Sequence, residues 1–212
     1  MVEIEKLFVN NNHIKLEAEY FQSSLHNTKP SILICHPHPQ FGGNMNNNVV
    51  SGVFNQLIEH DISCLRFNFR GVGRSTGNHS NGTEELSDVK ASIDFLINHK
   101  NCKEIIICGY SYGAAIGCSA VNYSDRIIGF ISISFPWGFM GVKYKEVSQT
   151  SKQKLFIQGN RDTIAHYENF YENFNYYSNP KVSKIIDGAD HFYWGYEEQV
   201  ANAILDFYYS ID

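Results

Sequence analysis

Glu104-Ile105-Ile106-Ile107-Cys108-Gly109-Tyr110-Ser111-Tyr112-Gly113-Ala114-Ala115 is the stretch that decides the fold. An apolar run ends at a glycine, a serine stands between two tyrosines, and a second glycine opens a segment of small residues that continues through Gly117, Cys118 and Ala120. The run predicts a buried strand, the small residues predict a helix, and Ser111 falls at the apex of the turn between them. This is the arrangement called a nucleophile elbow. A serine on so tight a turn has a strained backbone, and side chains two positions to either side would collide. Hydrogen at positions 109 and 113 removes that collision. Small residues then let the helix lie close against the sheet, with the positive end of its dipole beside the serine.

Outward from this element the pattern alternates. Short apolar runs at Ser31 to Cys35, Ile62 to Phe69, Ile127 to Ser134, Lys154 to Gly159 and Lys181 to Ile186 read as strands buried on both sides. Amphipathic stretches near Asn47 to His60, Thr83 to His99, Tyr112 to Tyr123, Tyr167 to Tyr177 and Glu197 to Tyr209 read as helices. Strand and helix in alternation predict an α/β domain with a mainly parallel sheet covered on both faces. Ahead of it, Ile4 to Val9 and Ile14 to Tyr20 flank Asn10-Asn11-Asn12-His13, which predicts an antiparallel hairpin. No repeat or linker divides the chain, so one domain is expected over 1–212. The connection from Pro136 to Lys152 is too short for a lid domain and has room for a small helix or loop.

Composition narrows the function classes. The chain has 212 residues, 43% hydrophobic and 18% charged, with a formal net charge of -5. That balance describes a globular protein and argues against a nucleic-acid partner. The start at Met1 to Lys6 lacks the layout of a signal peptide, and no run is long enough to span a bilayer. Five cysteines (35, 64, 102, 108 and 118) are an odd set without a Cys-x-x-Cys pair. They read as reduced core thiols, and the expected location is cytoplasmic.

A serine hydroxyl needs a base within hydrogen-bond reach, and the base needs an orienting acid. In a parallel sheet these groups come from loops after strands. Asp162, in Asn160-Arg161-Asp162, and His191, in Asp187-Gly188-Ala189-Asp190-His191-Phe192, follow the last two apolar runs. Ser111, Asp162, His191 is the chain order expected of this architecture. Asp187 is the fallback acid, and Asp190 is expected to point away from its neighbour. His13, His26, His60, His79 and His99 read as surface residues, and His166 as a helix start. An oxyanion needs N–H donors. Tyr112 supplies one. The second comes from His36-Pro37-His38-Pro39-Gln40, where the prolines have no N–H, leaving the main chain of His38 first and that of Gln40 second.

Other motifs read as ordinary structure. His36-x-His38 has metal-ligand spacing, but no third ligand stands out and no metal is expected. Gly71-Val72-Gly73-Arg74-Ser75-Thr76-Gly77 is a poor dinucleotide fingerprint, with loop where a helix should follow. There Arg70 and Arg74 are expected to fix neighbouring carbonyls or carboxylates. The aromatics Phe192-Tyr193-Trp194 and Phe207-Tyr208-Tyr209 read as packing, and Trp137 as the aromatic nearest the pocket.

With these residues in place the chain resembles the alpha/beta hydrolases. The resemblance runs from Ser31 to Asp212 and rests on the serine motif, His36-Pro37-His38-Pro39 with Phe41-Gly42-Gly43-Asn44-Met45, Leu65 to Ser75, Gly159-Asn160-Arg161-Asp162 and Gly188-Ala189-Asp190-His191-Phe192. It is similar to the small, lidless bacterial hydrolases grouped with dienelactone hydrolases and serine aminopeptidases. That resemblance implies about eight strands with the second antiparallel to the rest, no cap domain, no cofactor and a small-molecule acyl substrate. Carried over by position it implies Ser111 as nucleophile, Asp162 as acid and His191 as base, with Tyr112 and His38 supplying N–H groups. The expected reaction is cleavage of an ester or related acyl bond. A thioesterase, an acyltransferase or an aminopeptidase-like hydrolase would use the same groups, and a non-catalytic binding protein is the remaining class. Dienelactone hydrolases use cysteine where Ser111 stands, and serine aminopeptidases carry a larger cap than this chain has room for. A homo-oligomer is compatible with the sequence.

Overall fold

The computed structural model describes residues 3–211, so positions 1, 2 and 212, which fall within the expected domain limits, lie outside the described residues. Eight strands form one sheet in the order β1-β2-β4-β3-β5-β6-β7-β8. They are β1 (Ile4–Asn11), β2 (Ile14–Phe21), β3 (Ser31–Cys35), β4 (Cys64–Phe67), β5 (Ile105–Tyr110), β6 (Ile127–Ile133), β7 (Gln153–Gly159) and β8 (Val182–Ile186). The hairpin strand β2 pairs antiparallel with β1 and β4, and every other pairing is parallel. The alpha/beta hydrolase fold expected from the sequence is therefore present, with its second strand reversed.

The central strands follow the period-two rule for a sheet buried on both faces. Leu33, Cys35, Ile105 and Ile107 enter one core, with α2 (Glu85–Asn98), α3 (Tyr112–Cys118) and α6 (Phe170–Tyr176). Ile32, Ile34, Ile106 and Cys108 enter the other, under α1 (Asn48–Glu59) and α7 (Glu197–Ser210). Each such aliphatic side chain stabilises the fold by roughly 1.5–3 kcal/mol. All five cysteines are buried and unpaired. Helix α1 is capped as its asparagine cluster predicts: the Asn47 side chain accepts from the Val49 N–H at 3.0 Å.

One expected element differs. The helix after Ser111 stops at Cys118, not Tyr123. Beyond it the chain tightens into three-residue turns, with Ala120 N–H bonded to Gly117, Val121 to Cys118 and Tyr123 to Ala120. The β6–β7 connection holds only α4 (Trp137–Met140) and α5 (Val142–Val147), so no cap domain is present among the described residues. No helix among them is long and apolar enough to cross a membrane.

The topology fixes where a site can form. From β3 the chain goes outward to β4 and then returns across β3 to β5. The strand order thus reverses between β3 and β5, and loops leaving their carboxyl ends splay apart into a crevice. The loop after β3 carries His36 to Gly43, and the turn after β5 carries Ser111.

Candidate active site

Ser111 has φ 53° and ψ -117°, a conformation that non-glycine residues avoid. Its N–H donates to Ile133 O at 2.8 Å, which ties the turn to β6. The glycines permit this by separate contacts. A Cβ on Gly109 would lie 2.3 Å from the Gly113 carbonyl oxygen, the collision read from the sequence. A Cβ on Gly113 would instead lie 2.2 Å from Cys35 O and 2.5 Å from His36 O, in the backbone of the neighbouring strand. Gly113→Ala is therefore expected to push α3 off β3 and to lower the thermal midpoint by roughly 5–10 °C, the effect of about 2–3 kcal/mol of overpacking. A melting curve unchanged from the parent would refute this account of the contact.

Asp162 and His191 meet Ser111 in space. The imidazole bridges the two, with Nε2 2.9 Å from Ser111 Oγ and Nδ1 2.8 Å from Asp162 Oδ2. All three are buried, at 7%, 3% and 6% exposure. Asp162 accepts on both oxygens: Oδ1 from the Ile164 and Ala165 N–H groups at 2.9 and 2.8 Å, Oδ2 from Ser134 Oγ at 2.7 Å as well as from His191. Burial pushes its carboxyl up. The bond and charge of His191, the Ser134 hydroxyl and the Ile164 N–H outweigh that and hold it below the usual carboxylate range. An ionised carboxylate at Nδ1 puts the imidazole proton there, so Nε2 presents a lone pair to Ser111. This arrangement can take a proton from the serine hydroxyl and return it to a leaving group. Asp187 is engaged by the Asn160 amide and Asp190 by the Phe192 N–H, so neither competes for His191.

The support behind these groups is not legible in the sequence. Ser134 directly follows β6 at φ 48° and donates to Asp162, so the Tyr193 hydroxyl, 2.7 Å from Ser134 Oγ, must donate to it. Tyr110 Oη donates to the His191 carbonyl at 2.5 Å and holds that loop down. Ser134 lies at the carboxyl end of a strand, where site residues collect, and that was the available signal.

The N–H groups of Tyr112 and His38 have no hydrogen-bond acceptor among the described residues. Gln40 N–H donates to the His38 imidazole at 3.2 Å, which removes the second choice. The His38 ring packs on Tyr112 and Phe41, with centroids 4.7 and 4.9 Å away, and docks the loop onto α3.

His79 is not the surface residue its sequence position suggests. Its ring lies 5.2 Å from His38 and 5.7 Å from Tyr112, and its Nδ1 lies 2.8 Å from Oε1 of buried Glu85. Burial raises the Glu85 carboxyl, and bonds from Ser80 together with the charge of His79 bring it below its ordinary value. The Gly71–Gly77 turn behaves as expected: Arg70 pairs with buried Asp88 and with Glu84, and Arg74 with Glu17. His36 does not join His38 in a metal pair. Phe69 N–H occupies its Nε2 at 3.0 Å and Nδ1 donates to Pro37 O, while burial pushes its basicity down to about 4. No group of three or more His, Cys, Asp or Glu among the described residues could hold a metal ion.

A cleft of about 350 Å³ opens onto Ser111 and His191 between Phe41, Phe139, Ile164 and Phe192. Two expectations about aromatics are corrected here. Trp137 is buried, stacked on Phe135 at 5.1 Å with its Nε1 on the Tyr177 hydroxyl, and it is Phe139, two residues on, that reaches the cleft. Phe192, read as packing, is half exposed at the cleft wall, while Tyr193 beside it turns inward.

A family model described as the alpha/beta hydrolase fold matches residues 30–180. An uncharacterized protein of Rickettsia prowazekii is 32% identical over 97% of this chain and 89% of its own length. An alpha-beta serine hydrolase homologue from Coxiella burnetii superposes with a TM-score of 0.86 at 29% identity, covering 100% of this chain and 99% of that one. A lidless serine hydrolase from Xanthomonas campestris gives a TM-score of 0.86 at 24% identity, over 97% and 93% of the two chains, a likeness of fold.

Proposed function

The chain belongs to the alpha/beta hydrolase family, and on that premise we propose that it is a serine hydrolase of the carboxylesterase type, cleaving esters or related acyl compounds through Ser111, His191 and Asp162. The observation that carries this reading is the unbroken path from hydroxyl through imidazole to ionised carboxylate. Similarity to an alpha-beta serine hydrolase homologue from Coxiella burnetii supports it.

The proposed reaction uses these groups in turn. Ser111 Oγ bonds to the acyl carbon while its proton moves to His191 Nε2. The carbonyl oxygen becomes an oxyanion held by the N–H groups of Tyr112 and His38. Collapse breaks the bond to the leaving alcohol, which takes the proton from Nε2. Water then gives a proton to Nε2 and attacks the acyl-enzyme, the bond to Oγ breaks, and the proton returns to Ser111. Ester and water become acid and alcohol, with the protein restored. Imidazolium is stabilised by Asp162 throughout, and each oxyanion donor is worth roughly 2.7–4 kcal/mol in the transition state. No step calls on a cofactor.

The direct test is a fluorophosphonate probe followed by peptide mapping. Adduct on Ser111 is the expected result, and a protein that hydrolyses no ester and leaves Ser111 unmodified sinks the proposal. The oxyanion assignment makes a separate prediction. Since the donor at His38 is main chain, His38→Ala keeps it, and loss of the ring loosens only the packing on Tyr112 and Phe41. Substantial nitrophenyl ester turnover is expected to survive, within about 100-fold of the parent, a span smaller than loss of a donor by itself causes at the upper end of its range. Complete inactivity would overturn the assignment.

A further inference from the structure

We infer that the acyl group this site accepts is uncharged and apolar, a conclusion that rests on the serine-hydrolase reading and narrows it. No Asp, Glu, Lys or Arg among the described residues lines the cleft. Of its two histidines, His191 has both ring nitrogens engaged within the site. Burial pushes the His38 imidazole toward its neutral form, and its Nδ1 already accepts from Gln40. Asp162, the acid of the relay, has both oxygens saturated by four donors. A carboxylate on the acyl chain would therefore enter without a cation, and an ammonium without an anion. Moving either charge out of water into such surroundings is strongly unfavourable.

What the cleft does offer is apolar area. Phe41, Phe139 and Phe192 are 78%, 65% and 51% exposed, and Ile164 is 45% exposed, all around one opening. Clustered apolar side chains standing in water mark a surface that a ligand covers. At about 350 Å³ the cleft has room for roughly ten non-hydrogen atoms, taking ~30 Å³ for each as for a water molecule. That suits an acyl chain of about four to eight carbons together with the scissile group.

The test compares three nitrophenyl esters with similar acyl chains: hexanoate, hydrogen adipate and 6-aminohexanoate. The kcat/KM for hexanoate is expected to exceed that for either charged ester at least 100-fold. Phe139→Arg, which changes an exposed side chain on the short α4, is expected to narrow the hexanoate to adipate ratio at least tenfold and leave the aminohexanoate disfavoured. Rates for hexanoate and hydrogen adipate within about threefold, or labelled Ser111 with preferred turnover of a charged ester, would overturn the inference while the serine-hydrolase reading stood. Failure of all three esters together with an unlabelled Ser111 would remove that reading itself, and this inference with it.

Discussion

Ser111→Ala is expected to lower kcat for nitrophenyl butyrate on the order of 10⁶-fold, to the background set by binding and the oxyanion donors. In the proposed reaction the hydroxyl forms the covalent bond, and the members of such a relay act as one unit, so the loss is large. KM is expected to change little, since the cleft walls are untouched. A second substitution separates chemistry from folding. Ser111 is held at φ 53°, and alanine inherits the strain while glycine relieves it. Ser111→Gly is therefore expected to be as inactive as Ser111→Ala but to melt at a higher temperature, by a few degrees for about 1 kcal/mol of strain released. Both readouts come from one pair of purified variants. Retained turnover in either one means that the reacting atom lies elsewhere.

The parts of this molecule legible in the sequence are those whose cause is local. The turn at Ser111 is written in its own neighbours, because two glycines and a small-residue helix are needed within a few positions of the serine. The positions of Asp162 and His191 could be read because parallel strands deliver their following loops to one edge. What was not legible depends on which way a side chain turns after the chain has folded. Trp137 and Phe139 share a four-residue helix, and only packing decides that the first faces Phe135 and the second the cleft. Phe192 and Tyr193 part company because Tyr193 sits at φ 54°, which swings its ring inward to Ser134. His79 lies in a glycine- and serine-rich loop that looks solvated, and its buried carboxylate, Glu85, is six residues away on a helix. Gly113 was noticed for the right motif, but its tightest contact is with a strand some eighty residues earlier.

Asp162→Asn is expected to lower kcat by about 10⁴-fold without preventing folding. The argument turns on which way the amide must lie. The Oδ1 position receives two backbone N–H groups, from Ile164 and Ala165, and can hold only an acceptor. The asparagine oxygen therefore stays there, and its NH₂ group takes the Oδ2 position, facing His191 Nδ1 and Ser134 Oγ. Nδ1 must then accept, the imidazole proton moves to Nε2, and Ser111 faces a donor in place of a base. Ser134 can rotate its hydroxyl to accept, so the fold tolerates the change. A pH series adds a second readout. Asp162 titrates below its unfolded value of about 3.9, so its contribution to stability is complete above that pH and fades as pH falls through the depressed folded value. The stability gap between the parent and Asp162→Asn should accordingly be widest above about pH 4 and close in stronger acid, where the parent carries a neutral carboxyl as well. A gap independent of pH, or turnover close to that of the parent, would mean that Asp162 does not hold the imidazole in its working tautomer.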